Sequence, residues 1–230
     1  MQGRQLVDGA LASLMREHEM LSMLIDSLAC YAKRLFESHE AGTQRSSSTQ
    51  PGAQRSWSAE GERRDLAAFT AVLSGFADEL HHEKEEEILQ PILSRHGLCW
   101  QAGLLADVRM EHDRERYLIE VLQQAAECEL AWTSEDRRSI AATALALATF
   151  QREHMEKENS ELFPEVARRL SNTALEELRA ALERFDRLPR HVAQGTELLA
   201  IADQLISRYP PAGRASAGAT QSRDAALSAR

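Results

Sequence analysis

Two stretches of this chain follow one plan. HHEKEEEILQP, from His81 to Pro91, and HMEKENSELFP, from His154 to Pro164, each set a glutamate four residues and a proline ten residues after the leading histidine. Upstream of each stands a single histidine that follows a glutamate, Glu17-His18 and Glu111-His112, so the order His, then His-x-x-x-Glu, occurs twice. A four-residue step brings an imidazole and a carboxylate onto one face of a helix about one turn, roughly 6 Å, apart. Using both halves together requires four helices side by side with these faces turned inward.

The flanking residues have the period that this arrangement demands. Leu11, Leu14, His18, Leu21, Ile25, Leu28, Ala32 and Leu35 form the stripe of a first helix. A second, from about Glu62 to Ser94, carries Leu66, Phe69, Leu73, Ala77, His81, Glu85, Ile88 and Ile92, with Pro91 and Gly97 marking its end. A third, from about Gln101 to Ala131, presents Leu105, Val108, His112, Glu115, Ile119, Leu122 and Ala126. The fourth begins near Thr133, which has capping-box spacing to Asp136, and presents Ile140, Ala144, Leu147, Gln151, His154, Glu158 and Glu161, with Pro164 near its end. Only 11 glycines and 6 prolines interrupt 230 residues, so the predicted class is all-α, a four-helix bundle. A shorter amphipathic helix after Ser171, burying Leu175, Leu178, Leu182 and Phe185, and a last one over Thr196 to Arg208 are predicted outside it. The expected map is a bundle over 1–170 with a mobile polar insertion at 41–61, accessory helices over 171–209 and a disordered tail over 210–230.

Composition narrows the partners. A formal charge of -9 argues against non-specific nucleic-acid binding, which needs a dense basic surface. Cys30, Cys99 and Cys128 make no Cys-x-x-Cys pair, and their odd number fits a reducing compartment. No apolar run approaches the ~20 residues of a spanning helix, and the N-terminus lacks a signal-peptide core. A soluble, cytoplasmic protein without a membrane partner is expected.

The four histidines could supply two imidazoles to each of two metal ions, and the two glutamates could each bridge both. Imidazole with carboxylate suits iron, manganese or zinc, and paired bridging carboxylates point most directly to a dinuclear iron site. The doublet His81-His82 leaves a second register open, because His82 and Glu86 are also four apart. His81 repeats the distance to proline seen from His154 and continues the stripe from Ala77. His82 follows Asp78 and is expected to be solvated or to stand behind the ligands. Taken singly, a histidine on an apolar stripe is usually a hydrogen-bonded core residue, and the run Glu83 to Glu87 usually a solvated face. It is the repetition that separates these positions from that reading. His39, His96 and His191 fall at expected helix ends or loops and share no pattern.

These motifs, with REHEM and MEHDR, resemble the hemerythrin-like family of cation-binding domains over about Leu11 to Leu170. The resemblance implies an up-and-down four-helix bundle holding two non-haem iron ions with an oxo or hydroxo bridge. It implies ligand roles for His18, His81, Glu85, His112, His154 and Glu158. Arg116 stands where oxygen-carrying members have a further histidine, and Asn159 where they have an aspartate, which departs from respiratory oxygen carriage. The six-ligand pattern is similar instead to members that repair iron-sulfur clusters, react with nitric oxide or peroxide, or sense iron and oxygen, although no cysteine precedes Cys30. The expected function is a di-iron protein that binds or reacts with oxygen, peroxide or nitric oxide. The alternative is an iron or oxygen sensor, or an iron reservoir, without turnover.

Overall fold

The computed structural model describes residues 9–44, 59–97 and 103–211, which contain helices and short connections and, among the described residues, no strand. Helix α1 spans Ala12–Gln44. Helix α2 begins as Ala59–Val72, continues as π-helix over Leu73–His82 and Glu85–Leu89, and ends as Gln90–Arg95. Helix α3 is Leu104–Glu127. Helix α4 comprises Ser134–Lys157, a π turn at Glu158–Leu162 and Phe163–Arg169. Two further helices follow, α5 at Asn172–Asp186 and α6 at Pro189–Arg208. The all-α bundle expected from the sequence is the observed architecture.

Local sequence accounts for where the helices start. Thr133 accepts from the Asp136 amide while the Asp136 carboxylate accepts from the Thr133 amide, the reciprocal box expected at the start of α4. Ser171 caps α5 through the Ala174 amide. Helix α6 begins earlier than Thr196, at Pro189, whose missing N–H costs nothing in a first helical turn. His191, expected in a loop or helix end, lies in that turn, buried, with Nδ1 donating to the Phe185 carbonyl. Of the expected insertion, 41–44 and 59–61 are helical and 45–58 lie outside the described residues; of the expected tail, only 210–211 are described.

Both motif prolines lie near the ends of their helices, which continue past them to Arg95 and Arg169. A proline within an α-helix lacks one N–H and its ring presses on the carbonyl one turn back. Here the turn before each proline is widened: the Gln90 amide bonds to the Glu85 carbonyl and the Phe163 amide to the Glu158 carbonyl, five residues back in both cases. The wider turn carries the core face one residue further along. Leu89 and Leu162 are fully buried, whereas Ile88 is only partly buried and Glu161, expected on the inner stripe, is exposed.

The bundle interior is two apolar clusters with a polar layer between them. One contains Leu21, Ile25, Leu73, Ala77, Ile119, Leu147 and Met155; the other contains Leu11, Leu14, Leu89, Val108, Leu162 and Phe163. On every helix the motif residues fall at the break: His18 between Leu14 and Leu21, Glu85 between Leu80 and Leu89, His112 between Val108 and Ile119, and Glu158 between Met155 and Leu162. Helix α1 packs chiefly along α4, and α3 along both α2 and α4, while α6 touches α1 and α2 and lies over their seam. Among the described residues, no helix is long and apolar enough to cross a membrane.

Candidate metal centre

All six motif residues converge on the polar layer. His18, His81, Glu85 and Glu158 bring one ligand atom each to within 4.8 Å of one another, as do Glu85, His112, His154 and Glu158. The two glutamates belong to both groups. Glu85 directs Oε1 towards His81 Nε2 at 3.8 Å and Oε2 towards His112 Nε2 at 3.3 Å. Glu158 directs Oε2 towards His18 Nε2 at 3.1 Å and Oε1 towards His154 Nε2 at 3.3 Å. Each carboxylate therefore lies across the centre with one oxygen on either side.

The outward nitrogens of the four rings are all held. His81 Nδ1 donates to Glu17 Oε2 at 2.9 Å and His154 Nδ1 to Glu111 Oε2 at 2.9 Å. His112 Nδ1 donates to Glu86 Oε1 at 2.8 Å, and His18 Nδ1 to Asn159 Oδ1 at 3.1 Å. An N–H at Nδ1 leaves the neutral ring with a lone pair at Nε2, turned inward. His18 Nε2 and His81 Nε2 stand 3.0 Å apart, a separation that two facing lone pairs tolerate only with a proton or a cation between them. The supports repeat as the ligands do. Lys84 and Lys157, each three residues after its histidine, pair with the second oxygens of Glu17 and Glu111.

Most of the inner polar atoms lack hydrogen-bond partners in the protein. Both oxygens of Glu85 and of Glu158, and Nε2 of His112 and His154, are buried without a hydrogen bond. Carboxylates taken out of water are costly unless a positive group compensates them. Burial alone would raise the pKa of Glu158, but His154, His112 and His18 outweigh it and pull it well below the ordinary carboxylate value. Burial would likewise favour neutral His18 and His112; the Glu158 carboxylate, joined at His112 by Glu85 and Glu86, overrides this and raises both. Such mutual stabilisation is what a cation would provide from the middle. The donor set, imidazole nitrogen and carboxylate oxygen, fits first-row metal ions including iron.

The two departures noted in the motif have defined contacts. Asn159 holds His18, and Arg116 binds Asp78 at 2.7 Å and Glu86 at 2.7 Å, fixing the carboxylate that holds His112. His82 is not solvated: it is buried, with its ring stacked 3.8 Å from that of His112. Glu115 is fully buried as well, and burial, partly offset by His154 and His112, raises its pKa to about 7. Sequence reasoning missed Glu17, Glu111, Lys84 and Lys157 as supports, though the paired Glu-His dipeptides and the shared lysine three residues after His81 and His154 carried the signal.

The family model described as hemerythrin HHE cation binding domain matches residues 9–166. No curated protein and no solved structure gives a significant match.

Proposed function

The chain belongs to the hemerythrin HHE cation-binding family, and from that premise we propose that it is a non-haem di-iron protein that binds or reacts with a small oxidant: oxygen, peroxide or nitric oxide. The observation that carries this reading is the pair of fully buried carboxylates, each with one oxygen towards each histidine pair and neither oxygen hydrogen-bonded. His18 and His81 would hold one ion, His112 and His154 the other, and Glu85 and Glu158 would bridge them. Bound iron would supply reversible one-electron chemistry and coordination positions open to a small ligand.

The chain's own residues do the rest. Glu17, Glu86, Glu111 and Asn159 fix the tautomer of the four rings, keeping Nε2 free for coordination. Phe163 stacks on His18 at 5.4 Å, and the leucines of the second apolar cluster close that side against bulk water. A dry surround strengthens the attraction between the carboxylates and a bound cation.

A second reading, an iron sensor or reservoir without turnover, is favoured by one contact. Lys84, buried beside the His81 support, bonds Asp186 Oδ1 at 2.9 Å, at the end of α5 and beyond the matched residues. Occupancy of the centre would then be felt by the C-terminal helices. The discriminating experiment measures iron per chain and records visible spectra of the reduced and oxidised protein on addition of oxygen, peroxide and nitric oxide. Two irons with bands that respond to an oxidant support the first reading. Reversible iron loss coupled to unfolding, with no response to any oxidant, supports the second.

A further inference from the structure

His82 and Glu115 are not used by the six-residue centre, yet both are buried at its edge. Glu115 is completely enclosed and neither of its oxygens has a hydrogen bond; His82 is 1% exposed and its Nδ1 has none. His82 Nε2 faces Glu115 Oε2 at 3.6 Å, too long for a hydrogen bond and an ordinary separation for two ligands of one ion. A ligand nitrogen of His82 also lies within 4.8 Å of those of His112 and His154. The other four rings are anchored at Nδ1 by acceptors at 2.8–3.1 Å. His82 is not: its Nδ1 stands 3.5 Å from Asp78, so its ring can turn off the stack with His112. In the second half the same place, after His154, is occupied by the thioether of Met155.

We propose that His82 and Glu115 are additional ligands of the metal position served by His112 and His154. The two positions are then unequal: the His18 and His81 position has two imidazoles, and the other has three with a further carboxylate. This extends the di-iron reading and rests on it. Two neighbouring orphaned groups, one an imidazole and one a carboxylate, are what an additional pair of ligands looks like before the ion is bound. As core residues alone they would leave three buried polar atoms unsatisfied.

The test uses the full chain loaded with cobalt(II), whose paramagnetism shifts the ring N–H proton of every coordinated imidazole. The proposal expects shifted exchangeable resonances from His18, His81, His112, His154 and His82, assigned by one substitution at a time. His82→Met, which installs the residue of the second half, should remove one resonance and weaken one class of cobalt site by roughly tenfold to a hundredfold or more, leaving the other class unchanged. Glu115→Gln, a smaller perturbation of the fold, should weaken the same class and keep the His82 resonance. Resonances from only four rings in the wild-type protein, or cobalt isotherms that neither variant alters, would overturn the proposal while leaving the six-ligand centre standing. Failure of the wild-type chain to bind cobalt at all would overturn both.

Discussion

The two halves of the bundle carry one ligand plan in different settings. In the second half α4 is α-helical up to Lys157, Met155 follows His154, and Lys157, paired with Glu111, remains partly exposed. In the first half α2 is π-helical from Leu73 to His82, His82 follows His81, and Lys84 is enclosed between Glu17 and Asp186 at the end of α5. What survives both settings is the inner geometry: a carboxylate one turn from a histidine, a widened turn after it, and a glutamate from the neighbouring helix behind the ring. What differs is how each half is tied to the rest of the molecule. The inner plan belongs to metal chemistry, and the outer contacts are where one half can be tuned without the other.

The largest effect should come from the residues that the halves share. Glu85→Ala and Glu158→Ala should each leave at most one iron per chain, because removing a carboxylate between two cations exposes their mutual repulsion in a poorly screened interior. Metal analysis and Mössbauer spectra would check this, and two coupled irons retained in one variant but not the other would show that the halves are not equivalent. Next, His18→Ala and His112→Ala should each loosen a single ion and keep the other, visible in the same spectra as a mononuclear signal.

Smaller effects should separate the halves. Glu17→Gln and Glu111→Gln should each weaken metal affinity by roughly tenfold to a hundredfold, since an amide holds the histidine less strongly than a carboxylate. Asp186→Asn should weaken only the His18 and His81 position, and by less, because it acts through Lys84 and Glu17. Chelator competition would read both, and equal loss at the two positions would break the comparison. The smallest effect should be at the start of α4: Thr133→Ala should cost about 1 kcal/mol in urea unfolding of the metal-free protein. Iron content after reconstitution should not change.

Much of this was legible in the residues. Repetition singled out six positions, and all six meet in the polar layer, because ligand spacing and helical period are both written along the chain. The prolines were read as marking the last turns of their helices, which end a little beyond them at Arg95 and Arg169. The widened turn before each proline, closed by the Gln90 amide on the Glu85 carbonyl and the Phe163 amide on the Glu158 carbonyl, was not anticipated from the helical period. The same turn moved Glu161 out to solvent and Leu162 in. His82 was read by its neighbour Asp78 as lying on a polar face, and its burial follows from the long π stretch that turns it towards α3. Contacts between distant segments, such as Lys84 with Asp186, have no sequence periodicity to announce them.

The polar layer that divides the apolar interior also divides its cooperativity. Hydrophobic burial acts mainly within each cluster, and the helix backbones, the charges of the layer and α5, with Phe185 on one side and Leu182 on the other, join the block around Leu21 and Ile119 to the block around Leu14 and Phe163. A cation held by residues of all four bundle helices would tie the two blocks at their common boundary, and its binding free energy would become part of the cost of opening either one. The expected outcome is that the metal-loaded bundle opens as one foldon and the metal-free chain as two, with hydrogen exchange faster at the end holding Phe163 and Val166 than around Leu21 and Ile119; uniform exchange in the metal-free protein would count against it.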